Sequence, residues 1–162
     1  MPEMTEQEAR RRFTGARVAR LATVDEAGRP HLVPVVFAGQ GTDGIVTAVD
    51  RKPKTTTRLK RLRNIAARPD VCLLADAYDE DWERLWWVRA DGAARVLLPD
   101  AADPAERDAC AAAVTVLRDK YPQYWDAPPH GPVIAVTVRH WTGWRAQCAA
   151  VIDPPGLHPA TD

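Results

Sequence analysis

Apolar and polar residues alternate with a period of two over most of this chain and fall into a helical period in three places. Residues 6–14 predict a short amphipathic helix, and residues 17–24 a first strand with Val18, Ala22 and Val24 on alternate positions. The run Asp25-Glu26-Ala27-Gly28-Arg29-Pro30 carries turn chemistry, with Gly28 free to take positive φ, and valine-rich residues 31–38 complete a hairpin. Pro34 has no N–H to give to a ladder, so this second strand is expected at an edge or a bulge, where backbone groups can stay open to a ligand. A turn over residues 39–44 leads to a third strand at 45–49. Residues 57–67 then predict a helix with Leu59, Leu62, Ile65 and Ala66 on one face and Arg58, Lys60 and Arg61 turned away from it.

A fourth strand is expected at residues 71–77 and a long fifth at 85–98, with a turn at Asp91-Gly92. Asp103-Pro104-Ala105-Glu106 announces a helix, with an Asp cap, Pro at the first helical position and Glu placed for a capping box. Its expected core stripe is Ala109, Ala112, Ala113, Val116 and Leu117, and Pro122 helps to end it. Residues 133–138 alternate as a last strand, and the proline-rich tail is expected to be poorly ordered. Strands joined by short turns, with one helix after the third and another before the last, point to a mainly β, closed or nearly closed barrel with peripheral helices. A length of 162 residues suits one core, expected over residues 1–150 with a flexible tail at 151–162.

Composition narrows the chemistry. No apolar run approaches the roughly 20 residues that a membrane helix needs, and residues 1–12 lack the apolar core of a signal peptide, so a soluble cytoplasmic protein is expected. Cys72, Cys110 and Cys148 are odd in number and widely spaced, reading as buried or neutral thiols. His31, His130, His140 and His158 show no metal-ligand spacing, and no metal is expected. There is no G-x-G-x-x-G between a strand and a helix, and no nucleophile elbow or Ser-His-Asp order. Net charge is zero, and the one basic run lacks interleaved aromatics, which argues against nucleic acid.

That basic run is nevertheless the strongest chemical signal. Between Arg51 and Arg63 lie seven basic residues (Arg51, Lys52, Lys54, Arg58, Lys60, Arg61 and Arg63) and no acid, where a strand ends and a helix begins. Helix-start amides and charge-assisted bonds from Lys and Arg favour phosphates there, and Thr55, Thr56 and Thr57 can cap the helix or give hydroxyls to the anion. A solvated basic helix face is the plainer alternative. Trp86 and Trp87, being adjacent in a strand, point to opposite faces, one inward and one towards a partner subunit or a ligand ring; core packing is the plainer reading for each.

In order, A-T-V-D-E-A-G-R-P-H-L-V-P-V-V-F (22–37), D-R-K-P-K-T-T-T-R-L-K-R-L-R-N-I (50–65) and Y-D-E-D-W-E-R-L-W-W-V-R (78–89) resemble the pyridoxamine-phosphate-oxidase-like split barrels. Among these the chain looks closest to the actinobacterial branch that uses coenzyme F420, a deazaflavin. The resemblance implies a six-stranded split β-barrel and a homodimer with two cofactor sites at its interface. It would place Val33, Pro34 and Val35 beside the tricyclic ring, and Thr47, Ala48, Val49 and Asp50 along the ring and ribityl chain. Lys52, Lys54 and Arg58, with Thr55, would meet the phosphate, and Lys60 and Arg61 the anionic tail. Trp87 joins this set as an aromatic near the ring. No counterpart of the C-terminal arginine signature of pyridoxamine phosphate oxidases follows Trp144. The implied activity is hydride transfer between F420 and an unsaturated or quinone-like small molecule, with no catalytic side chain required. The alternatives are an FMN-binding oxidase-like protein, and a non-catalytic cofactor- or tetrapyrrole-binding protein in which a histidine would be the axial ligand.

Overall fold

The computed structural model describes residues 3–49 and 56–147, with the side chains of 56–59 outside the description. Helix α1 (Glu6–Gly15) opens the fold, capped by Thr5, whose hydroxyl accepts from the Glu8 N–H at 3.2 Å. Strands β1 (Ala19–Val24) and β2 (Pro30–Val35) form the predicted hairpin, turned through Gly28 at φ 83°. Then follow β3 (Ala38–Gln40), β4 (Gly44–Ala48), α2 (Thr56–Ala67), β5 (Asp70–Ala77), β6 (Trp86–Leu97), α3 (Pro104–Lys120), α4 (Gln123–Asp126) and β7 (Val133–Arg145). A 3-10 turn at Trp82–Arg84 precedes β6.

All seven strands form one antiparallel sheet in the order β2-β1-β5-β6-β7-β4-β3. Its two edge strands, β2 and β3, are consecutive in the chain and separated only by Val36 and Phe37. Two intervening residues span at most roughly 10 Å, so the sheet must curl until its edges face each other. The result is a split barrel, closed by covalent continuity and not by a ladder. This is one strand more than the six expected, because the stretch 31–38 breaks at Val36-Phe37 into β2 and β3. Pro34 sits on an edge strand, as its missing N–H requires.

Three other expectations change. Asp91-Gly92 is a register shift inside a continuous β6, not a turn, and a Cβ on Gly92 would run into the Thr137 carbonyl of β7. The last strand runs seven residues beyond Val138, to Arg145, and takes in Trp141 and Trp144. In β1 the buried residues are Ala19, Leu21 and Thr23, so Val18, Ala22 and Val24 lie on the other face.

The core has two layers. Inside the barrel, Phe13 from α1 packs on Phe37 and Trp141, with ring centroids 4.8 and 5.5 Å apart, among Leu21, Ile45, Leu73, Val88 and Ile134, and α2 adds Ile65 and the half-buried Leu62. Outside, α3 lays Cys110, Ala113 and Leu117 over Ala38, Val46, Ala48, Leu97 and Val133. Asp103 caps α3 as expected, accepting from the Ala105 N–H at 2.9 Å, but its stripe turns towards Cys110 and leaves Ala112 exposed. No described helix covers the outer face of β2, β1 and β5, where Leu32 is 65% exposed and Val18 and Leu74 are 39% and 38% exposed.

Candidate functional site

The basic helix α2 packs against β1 and β6 on the inner side of the sheet. Ile65 is buried in the barrel core, and one residue before it Asn64, 4% exposed, donates through Nδ2 to the Thr23 hydroxyl of β1 at 3.1 Å. This buried polar pair fixes the rotation of α2. The expected stripe of Leu62 and Ile65 therefore holds in part, while Ala66 is exposed and Asn64 takes an inward position that the apolar pattern did not reserve for an amide. Lys60 stands one turn before Asn64, and both Lys60 and Arg61 are half-buried, not turned fully to solvent.

His31 of β2 is paired in register with Thr23, so it shares that strand pair's inward face with Val33 and Val35. Its Nδ1 is buried and has no hydrogen-bond partner among the described residues. Burial, then the Lys60 and Arg61 cations, hold the imidazole below its ordinary pKa. A cavity of about 410 Å³ opens between the hairpin turn and α2, lined by Asp25, Glu26, Arg29, Lys60, Arg63 and Asn64. Asp25 is engaged by Arg29 through the backbone N–H at 2.8 Å and through Nε at 3.0 Å, which holds its carboxyl below the usual range.

The remaining predicted residues fall into four groups. Val33 and Val35 point inward, Val35 being buried in the barrel core, and Pro34 points outward. Thr47 and Val49 are also inward and buried, whereas Ala48 packs under α3. The Thr47 hydroxyl donates to the Val36 carbonyl at 2.7 Å, bringing β4 to the end of β2 at the split. Beyond Val46, β4 has no β3 partner, so its edge at Thr47-Ala48 opens there. The other orphan groups of the break are satisfied from within: the Phe37 N–H donates to the Tyr121 hydroxyl at 3.1 Å, and that hydroxyl donates to the Phe37 carbonyl at 2.7 Å. The open backbone groups expected around Pro34 are thus closed at Val36-Phe37 and reduced to the outer edge of β2.

Trp86 is the inward member of its pair, beneath the Arg12 guanidinium at 5.6 Å, and Trp87 is on the outer face between Asp76 and Trp144. Within one chain Trp87 is therefore not brought together with the inward residues. Asp50, Lys52, Lys54 and Thr55 lie outside the described residues, as do Cys148, His158, the 151–162 tail and the side chain of Arg58. The acidic run before β6 pairs locally, Arg84 lying 3.8 Å from Asp79 and 3.5 Å from Asp81. Burial pushes the Cys72 and Cys110 thiols up. His31 and Asn64 are the site residues that sequence reasoning missed; the one available signal was an amide one residue from the apolar stripe of a predicted helix.

Among solved structures, an FAD-binding protein from Mesorhizobium loti is 20% identical, with 87% of this chain and 94% of that one covered at a TM-score of 0.64. A conserved hypothetical protein from Mycobacterium tuberculosis is 19% identical over 88% of this chain and 85% of its own, at 0.67. A heme binding protein from Mycobacterium smegmatis is 20% identical, at 0.61, with 87% of this chain and 54% of that one covered. At such identities these likenesses show the fold. No curated protein matches the chain. A family model for pyridoxamine 5'-phosphate oxidase matches residues 5–145. That stretch runs from the cap of α1 to the last residue of β7 and takes in every described helix and strand, so the chain belongs to the pyridoxamine 5'-phosphate oxidase family.

Proposed function

We propose that this protein is an oxidoreductase that binds a phosphorylated flavin-type cofactor, coenzyme F420, along a track from the split of the barrel to α2, and that it acts as a homodimer. The observation that carries the reading is the placement of α2. A helix entered from an acid-free basic loop is locked by the buried Asn64–Thr23 bond, so that the Lys60 and Arg61 charges act on His31 of β2, whose Nδ1 has no partner among the described residues. Cations acting on an imidazole whose buried Nδ1 is unsatisfied, close to an open strand edge, suit an anionic ligand with a planar head.

In this reading Val33, Pro34 and Val35 flank the ring through the edge of β2, and the free edge of β4 at Thr47, Ala48 and Val49 follows its side chain. Asp50 marks the entry to the basic loop, where Lys52, Lys54, Thr55 and Arg58 hold the phosphate; Lys60 and Arg61 meet the anionic tail. Such a cofactor supplies hydride transfer to an unsaturated or quinone-like small molecule. The chain's own residues bind it, orient it and keep water from one face. The uncovered apolar face of β2, β1 and β5 is the surface for the second subunit, and Trp87, on that same outer face, reaches a cofactor across the dimer.

A second reading keeps the track and replaces F420 by FMN or FAD, supported by the likeness to the FAD-binding protein from Mesorhizobium loti. Titrating cofactor-free protein with F420, FMN and FAD at fixed salt, by fluorescence polarisation, separates the two. Selective F420 binding that weakens severalfold or more in Lys54→Ala is the expected result. Selective flavin binding moves the chain to the second reading. Binding of none of the three, with a Soret shift on adding haem, overturns both.

A further inference from the structure

We infer that His31, with Lys60 and Arg61, forms a proton-linked anion subsite, in which docking of the cofactor's phosphate or tail carboxylate is accompanied by protonation of His31. The inference deepens the cofactor reading above and rests on it for the ligand's identity. It starts from an anomaly: a buried ring nitrogen without a hydrogen-bond partner is costly, and native folds rarely keep one without a use for it. His31 is held there by the backbone, since its register with Thr23 turns it inward, and Thr23 is in turn fixed by Asn64 of α2. The same helix sets the charges of Lys60 and Arg61 within electrostatic reach of the imidazole.

The surrounding charges set the direction of the effect. On the hairpin, Asp25 is engaged by Arg29, and Glu26 gives its backbone carbonyl to Arg68 at 3.0 Å. On α2 stand Lys60, Arg61 and Arg63, the last two residues from Arg61 and lining the cavity with Lys60. The charges that act on His31 are the cations Lys60 and Arg61, and, after burial, they hold the imidazole below its ordinary pKa. An anion set between Lys60, Arg61 and His31 reverses that balance: it offsets both cations and gives the Nδ1–H an acceptor, so the pKa rises in the complex. A group whose pKa is higher in the complex strengthens binding fully below its free-protein pKa, and the gain is lost as pH rises through the complexed value. Each unit of difference is about tenfold in affinity.

Two measurements test this. F420 affinity is measured between about pH 5.5 and about pH 8.5, the window in which histidine titrates, for the native protein and for His31→Gln, which keeps a polar side chain but no proton to exchange. The native protein should bind F420 several times more tightly at the acid end, and His31→Gln should show little of that slope; equal slopes overturn the inference. Separately, the His31 pKa is read by NMR in the native protein in chloride and in sulfate at matched ionic strength, sulfate being a phosphate-like anion that does not titrate in this range. The pKa should rise in sulfate, and an unchanged pKa overturns the inference without depending on any variant folding. If F420 does not bind at any pH but sulfate still raises the His31 pKa, the cofactor reading fails and the anion subsite stands.

Discussion

Replacing Tyr121 by Phe removes a single oxygen from the point where the barrel is split. Tyr121 follows the last turn of α3, is 5% exposed, and closes the gap that the β2–β3 break leaves in the ladder. Its hydroxyl accepts from the Phe37 N–H at 3.1 Å, and its one proton is shared between the Phe37 carbonyl at 2.7 Å and the Arg17 carbonyl at 3.0 Å. Burial, the larger influence, raises its pKa despite the backbone bond, so the group stays a donor throughout the neutral range. Phe keeps the ring, its packing and the Arg17 guanidinium stacked 4.7 Å above it, so the loss is confined to hydrogen bonding. A buried N–H left without a partner costs about 1 to 3 kcal/mol. For a chain of this length, 1 kcal/mol lowers Tm by roughly 2 to 4 °C, so a loss near 2 kcal/mol predicts a fall of about 4 to 8 °C. Thermal and urea unfolding followed by circular dichroism measure it, with Tyr78→Phe, at an exposed position, as the control. A Tm change no larger than the control's would show that water or a backbone shift satisfies Phe37, and that Tyr121 does not hold the split.

Three further outcomes are expected. Asn64→Ala should cost about 1 to 3 kcal/mol in urea unfolding, because the partner Thr23 hydroxyl stays buried without its donor, and the double variant with Thr23→Val should cost less than the sum of the two. Lys120 donates to the Thr14 and Ala16 carbonyls at 3.0 and 2.6 Å, and burial followed by the Arg17 charge lowers its pKa to about 8. The unfolded chain therefore holds the Lys120 proton over a range in which the folded chain has released it; from about pH 8 to the ordinary lysine value of 10.5, stability should rise with pH in the native protein, and this contribution should vanish in Lys120→Met. Leu32→Asp, on the uncovered face, should halve the mass measured by light scattering while leaving the monomer's circular dichroism spectrum unchanged; a mass that stays dimeric would place the interface elsewhere.

The β order, the two helices that punctuate it and the Asp103 cap were legible because each rests on local chemistry: alternation, turn residues and a capping side chain. The phase of β1 was not. Its buried face is Ala19, Leu21 and Thr23, and its outer face carries Val18, Ala22 and Val24, so both faces contain apolar residues and alternation alone favours the wrong one. The misleading residue is Thr23, polar yet fully buried, because an amide 41 positions later in the chain, Asn64, satisfies it. The split at Val36-Phe37 was hidden for a related reason. Val35, Val36, Phe37 and Ala38 form an unbroken apolar run, as expected of a segment covered on both sides, and α3 supplies the second cover from a sequence distance no window spans.

The site divides along the same line. Its charges were readable, since seven cations without an acid need no fold to be noticed. The orientation of those charges was not, because it is set by a buried amide–hydroxyl bond and by the register of His31 opposite Thr23, both products of long-range pairing. A histidine seen in sequence has many structural roles, and nothing around His31 in the chain distinguishes it from His140. Only the fold leaves the His31 Nδ1 buried without a partner among the described residues, under the charge of two cations from another element. Sequence therefore shows where the cations cluster, whereas the curled sheet decides which polar atom is left buried beside them. Residues fixed by tertiary pairing, here Thr23, His31, Asn64 and Tyr121, are the ones whose substitution should separate loss of ligand affinity from loss of stability: His31 touches the first, Tyr121 the second, and Thr23 and Asn64 both.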